Sequence, residues 1–154
     1  MDTKINEFIK DWKNVRGKTI EFLEAVPQER MTWKPHDLLG TFGMQIRHVI
    51  KSQEAYLNGM KIGRIDFSEK DFDSELEKNK QKALMRLKQI DEELINFLAQ
   101  ADEKRQIIFA DGVFGEHAVS LTTALGYLMD HEIYHQGMFT CYGRLAGLGK
   151  FRFM

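Results

Sequence analysis

Residues 120–146 read SLTTALGYLMDHEIYHQGMFTCYGRLA, and the spacing of apolar residues in this stretch decides the fold. Leu121, Ala124, Leu125, Leu128, Phe139, Tyr142 and Ala146 recur at sums of three and four, the period of one helix face. The pattern predicts a long amphipathic helix from near Ser120 to about Ala146. Inside it, His131-Glu132-Ile133-Tyr134-His135 spells H-E-x-x-H, the signature of zinc proteases. At about 100° per residue, His135 falls inside the apolar stripe and His131 on its rim, beside Ala124 and Tyr142. Side chains four apart share a face, so two imidazoles one turn apart point toward the protein interior. A buried ring without a partner is costly. Two readings stay open: two ligands of one metal ion, or two core histidines hydrogen-bonded to carbonyls or hydroxyls.

Outward from this helix, three more are expected. Ile5, Phe8, Ile9, Trp12, Val15, Thr19, Phe22, Leu23 and Val26 form a helical stripe that ends near Pro27. Residues 27–40, PQERMTWKPHDLLG, read as a connector. Phe42, Ile46, Val49, Ile50, Tyr56, Leu57 and Met60 form a second stripe, with Gly59 and Gly63 expected to end it. A long third helix is expected from near Ser74, where Ser74 and Glu77 spell a capping box, through Leu76, Ala83, Leu87, Ile90, Leu94, Phe97, Leu98 and Ala101. Between the third and last helices, QIIFADGVFGEHAV (106–119) leaves a short hairpin turning at Asp111-Gly112 or an irregular loop. The expected fold is therefore all-α: a four-helix bundle in one domain over residues 1–154, with a short hairpin before the last helix.

The composition sets limits. The chain has 154 residues, 43% hydrophobic and 29% charged, with net charge −1. One sizeable core fits that length. Near-neutral charge without a basic face speaks against nucleic acid as a partner. No apolar run is long enough to span a membrane, the N-terminus lacks the apolar core of a signal peptide, and the single cysteine fits a reducing compartment. A cytoplasmic location is expected.

A two-histidine site is incomplete, because a catalytic zinc takes three protein ligands and keeps a position for water. Only 19 residues follow His135 and they contain no His, Asp or Glu. Cys141 is turned to the far side of the helix. A third ligand must come from upstream. His48 lies in a predicted helix, but off the centre of its stripe, on the side of Gln45 and Ser52; it reads as a ligand or as a flank histidine. His117, in the hairpin-like stretch, and His36, in the connector, read as surface residues. The same helical wheel turns Glu132 inward. It is nominated as general base, against the alternative of a hydrogen-bond partner that orients a ligand. Tyr134 points away from the stripe.

The order of three motifs carries a family resemblance: TWKP at 32–35, GMQIRHVI at 43–50 around His48, and DHEIYHQGMFTCYGRLAG at 130–147. The chain resembles the DinB/YfiT-like family of metal-dependent proteins over essentially its whole length. The resemblance implies a four-helix bundle, a homodimer, and a divalent-metal site of His48, His131 and His135. Some members of this superfamily are similar to thiol S-transferases, which join a low-molecular-weight thiol to an electrophile, others look like metal-dependent hydrolases, and many have no assigned reaction. This sequence departs from the family pattern after the second histidine, reading Gln136-Gly137-Met138 where Arg-Gly-Gln is common, and its tail LGKFRFM lacks the usual prolines.

Three functional classes follow. One is a small-molecule metalloenzyme of transferase or hydrolase type, holding zinc, nickel or iron at three imidazoles. The second is a non-catalytic helical dimer or binding module with a structural or vestigial site. The third is an H-E-x-x-H protease, disfavoured because a compact helical chain offers little surface for an extended peptide.

Overall fold

A computed structural model describes residues 3–68, 73–110 and 115–149. Helix α1 spans Thr3–Ala25, α2 Phe42–Ile62, α3 Ser74–Lys78, α4 Lys80–Leu98 and α5 Leu121–Leu145; short strands β1 (Arg64–Ile65), β2 (Gln106–Phe109) and β3 (His117–Ser120) lie between them. Helix α1 packs against α4 and α5, and α2 packs against α3, α4 and α5. Their facing stripes meet in one core that includes Trp12, Phe22, Leu87 and Phe139. Phe22 stacks on Phe139 at 5.2 Å. The connector is pinned to this core by Trp33 against Phe42 at 5.6 Å and by the Tyr142 hydroxyl, which donates to the Gly40 carbonyl at 2.7 Å.

The expected all-α architecture needs correcting, because the protein is mostly helical but carries a three-stranded sheet of order β1-β2-β3. The hairpin expected before the last helix is present as antiparallel β2 and β3, with Phe109 opposite His117 and Gln106 opposite Ser120. Its expected turn, Asp111-Gly112, lies outside the described residues, as do Phe151, Phe153 and Met154 of the tail. The third strand, β1, runs parallel to β2 with Arg64 opposite Ile108. It follows directly on the turn that ends α2, where Gly63 adopts φ 89° and its N–H donates to the Gly59 carbonyl at 2.8 Å. That left-handed conformation suits glycine. Gly59 itself does not end α2. It lies inside the helix because β1 passes so close: a β-carbon there would stand 2.5 Å from Ile65 Cγ1.

The expected long third helix is two helices, broken at Asn79 (φ −120°, ψ 100°). Two side chains, Asn79 and Gln28, satisfy backbone groups that the break orphans. Asn79 Oδ1 accepts from the Lys82 N–H at 3.1 Å. The Gln28 amide donates to the Lys78 carbonyl at 2.5 Å and accepts from the Lys80 N–H at 3.0 Å. Lys80 Nζ in turn donates to the Glu24 and Val26 carbonyls at the end of α1, at 3.0 and 2.9 Å. The predicted capping box also fails in detail: Asp73, not Ser74, caps α3 by accepting from the Glu75 N–H at 3.0 Å, and Glu77 pairs with Arg47 instead. The break lets α3 press onto α2, where a β-carbon on Gly43 would lie 1.8 Å from the Glu77 carbonyl oxygen. Gly43→Ala should therefore lower stability by about 1–3 kcal/mol, read as an earlier denaturant midpoint with an unchanged slope.

Helix α5 follows its predicted bounds closely. Ser120 Oγ accepts from the Thr123 N–H at 3.2 Å and caps its start. Among the described residues, no helix is long and apolar enough to cross a membrane.

Candidate metal centre

Helix α2 brings His48, and α5 brings His131 and His135, to one place. Each ring offers one nitrogen, and these nitrogens all lie within 4.8 Å of one another. The ring centroids are 4.5 Å apart for His131–His135, 4.9 Å for His48–His135 and 5.4 Å for His48–His131. His48 Nε2 and His131 Nε2 approach to 3.4 Å. His135 is buried, His131 half-buried and His48 exposed, so the cluster has an inner wall and an open side. The off-centre position of His48 on its stripe is real. It stands on the flank of α2, and the cluster forms there because α2 packs against α5.

The cluster's electrostatics favour neutral rings. Burial, then His135, His48 and Arg16, push His131 down to about 3. Burial and then His48 push His135 down to about 4. His48 is lowered too, by desolvation and then by Arg47. Neutral imidazole is the ligand form of histidine. Among the described residues, the buried Nδ1 atoms of His131 and His135 have no hydrogen-bond partner, an expensive state for polar atoms unless another group satisfies them. Three uncharged nitrogen donors, gathered within reach of one ion and only partly satisfied by the protein, fit a divalent transition metal.

No Cys, Asp or Glu among the described residues joins the three histidines. His117 stays on β3, stacked on Phe109 at 5.8 Å with its Nδ1 2.9 Å from the Gly115 carbonyl. His36 is exposed and accepts from the Leu38 N–H at 3.1 Å. Cys141 is an exposed thiol, and Tyr134 is 66% exposed. Tyr56 of α2 sits beside His131, ring centroids 6.3 Å apart. Burial, then the charge of Asp130 and the neighbouring Tyr127, push its phenol up to about 12.

Glu132 is fully buried. Its Oε1 accepts from Arg16 Nη1 at 3.0 Å and from the Thr19 hydroxyl at 2.5 Å, and its Oε2 accepts from Gln53 Nε2 at 2.5 Å. Arg16 also donates to Gln53 Oε1 and, through Nε, to Asp91 at 3.0 Å; Trp12 Nε1 donates to the same Asp91 oxygen at 2.9 Å. Gln136, one turn beyond Glu132, donates to Thr19 Oγ1 at 3.0 Å and to the Val15 carbonyl at 2.6 Å. The result is a buried polar network joining α1, α2, α4 and α5. The sequence patterns single out none of Arg16, Gln53 and Asp91, and they mark Gln136 only as a departure from the family pattern. One signal was available: Arg16 lies four residues after Trp12 and three before Thr19, on the apolar stripe of α1, where a cation must find a buried carboxylate.

The molecule is mostly helical and carries, between two of its helices, a three-histidine cluster able to hold a metal ion. The chain belongs to the DinB family, whose sequence pattern it matches over residues 1–153. Solved structures that share its fold include two DinB-like proteins. A DinB-like protein of Bacillus subtilis superposes with a TM-score of 0.69 at 22% identity, covering 92% of each chain. A DinB-like protein of Bacillus cereus superposes with a TM-score of 0.72 at 17% identity, covering 91% of each. A search of curated proteins finds no match to this sequence.

Proposed function

We propose that the protein is a divalent-metal-dependent enzyme acting on a small molecule, of thiol S-transferase or hydrolase type, with His48, His131 and His135 as the ligands. The observation that carries this reading is the gathering of three ligand nitrogens within 4.8 Å, open to solvent at His48 and without a fourth protein ligand among the described residues. A structural metal site is normally closed by four protein ligands, whereas a catalytic one keeps a position free; this distinction weighs against the non-catalytic alternative. A metal held there would act as a Lewis acid toward a bound water, thiolate or oxyanion. The protein's own part is to keep three imidazoles neutral and aimed at one point. Zinc, nickel and iron all suit three imidazoles.

Glu132 is better assigned as a buried hydrogen-bond hub than as a general base. Its carboxylate accepts from Arg16, Thr19 and Gln53, which leaves it poorly placed to take a proton from a metal-bound water, and the H-E-x-x-H protease reading loses its glutamate with it. We also propose that α1, α2, α4 and α5 form the four-helix bundle of the DinB/YfiT type, that the protein works as a cytoplasmic homodimer, and that a low-molecular-weight thiol is a co-substrate.

Elemental analysis of protein purified without a histidine tag tests the central claim. About one equivalent of a transition metal is expected in the wild type, with loss in a His48→Ala/His131→Ala variant whose helical circular dichroism is retained. Absence of metal after reconstitution with zinc, nickel and iron would overturn the enzyme reading.

A further inference from the structure

Beside the histidines lies a set of aromatic side chains with no part in holding a metal. Tyr127 precedes His131 by four residues on α5, so the two share a face. Tyr56, on α2, touches the His131 ring from the other helix. Phe109, the last residue of β2, packs edge-on against Tyr127 at 5.4 Å and against Tyr56 at 5.8 Å. Phe67, just past β1, lies 5.2 Å from Tyr56 and 5.9 Å from Phe109. The small sheet and the segment just past β1 therefore bring two phenylalanines beside Tyr56 of α2 and Tyr127 of α5, one turn from His131. Phe109 and Tyr56 are buried and form the base of this group, while Tyr127 is 37% exposed and Phe67 half-buried. Asp130 is the charged neighbour whose field reaches Tyr56.

We propose that Tyr56, Phe67, Phe109 and Tyr127 form the subsite for an aromatic or similarly flat apolar group of the substrate, whose anionic head is taken at the three-histidine centre. The inference rests on the metal reading given above and specifies its substrate class. Small-molecule sites combine a few fixed polar groups with an apolar, aromatic-rich wall. Here the two parts adjoin, and the 6.3 Å between the Tyr56 and His131 rings suits a head group one or two bonds from a ring. A ring laid there meets aromatic edges and faces in the tilted and T-shaped geometries that such groups prefer.

The test compares two metal-chelating probes of the same head group, acetohydroxamate and benzohydroxamate, on zinc-loaded protein by calorimetry. Benzohydroxamate should bind about tenfold tighter, and the preference should shrink to near parity in Tyr127→Ala and, separately, in Phe67→Ala, while acetohydroxamate affinity stays as in the wild type. Equal affinity of both probes for the wild type would overturn the subsite and leave the metal reading standing. A preference that survives undiminished in both variants would also overturn it, since the ring would then sit elsewhere. Failure of the protein to retain zinc or bind either probe would sink the metal reading and this inference together.

Discussion

Glu132→Ala should destabilise the protein by about 3–5 kcal/mol, the usual consequence of removing one partner from a buried ion pair. The carboxylate is fully buried and accepts from Arg16, Thr19 and Gln53. Without it, Arg16 keeps Asp91 as its one carboxylate partner in the network, and the Gln53 amide and Thr19 hydroxyl lose their acceptor in a place water does not reach easily. Glu132→Gln keeps the volume and should cost less, since one amide oxygen can still accept. Chemical denaturation of the two variants beside the wild type measures both effects. A loss under about 1 kcal/mol for the alanine variant would mean that the network relaxes around the gap, against the usual cost of a stranded buried charge.

The second large effect is acid instability of the metal-free protein, carried by His131 and His135. An unfolded chain protonates each ring near pH 6.5. The folded chain does so only near 3 for His131 and near 4 for His135. Between those values the unfolded state holds more protons, so stability is full above about pH 6.5 and drains away as the pH falls through 4 toward 3. Each ring contributes a slope approaching about 1.4 kcal/mol per pH unit inside that window. Asp91, whose carboxyl is raised by burial against the opposing pull of Arg16 and Trp12, works in the opposite sense at the acid end. Denaturant midpoints collected from pH 7 to pH 4 should fall steadily, and a His131→Ala/His135→Ala variant should show a flatter profile. An equally steep profile in the variant would move the cause away from these rings.

Much of this was legible in the chain. The stripe of α5 and the four-residue spacing of His131 and His135 fix the inner half of the cluster, because both properties depend only on helical period. His48 was harder. Its angle on α2 placed it at the flank, and only the packing of α2 against α5 decides that the flank is where the cluster forms. The break at Asn79 leaves no trace in the periodicity, since the apolar steps carry on across it; Gln28, some fifty residues away, satisfies groups at both severed ends. Strand β1 is two residues long and has no alternation to detect. Arg16 was legible in principle, yet its partners on three other helices were not, because long-range pairing is a property of packing.

Helix α5 thus carries two rails. His131 and His135 form one, and Glu132 and Gln136, a single residue further on, form the other. Deleting one residue between Ser120 and His131 would swing everything downstream by about 100° and present Glu132 and Gln136 where the imidazoles belong, while inserting one would present Asp130 and Tyr134 there. A chain that lost or gained a residue within this helix would lose the relation between its core and its site, whereas the connections that enter and leave the helix carry no such constraint.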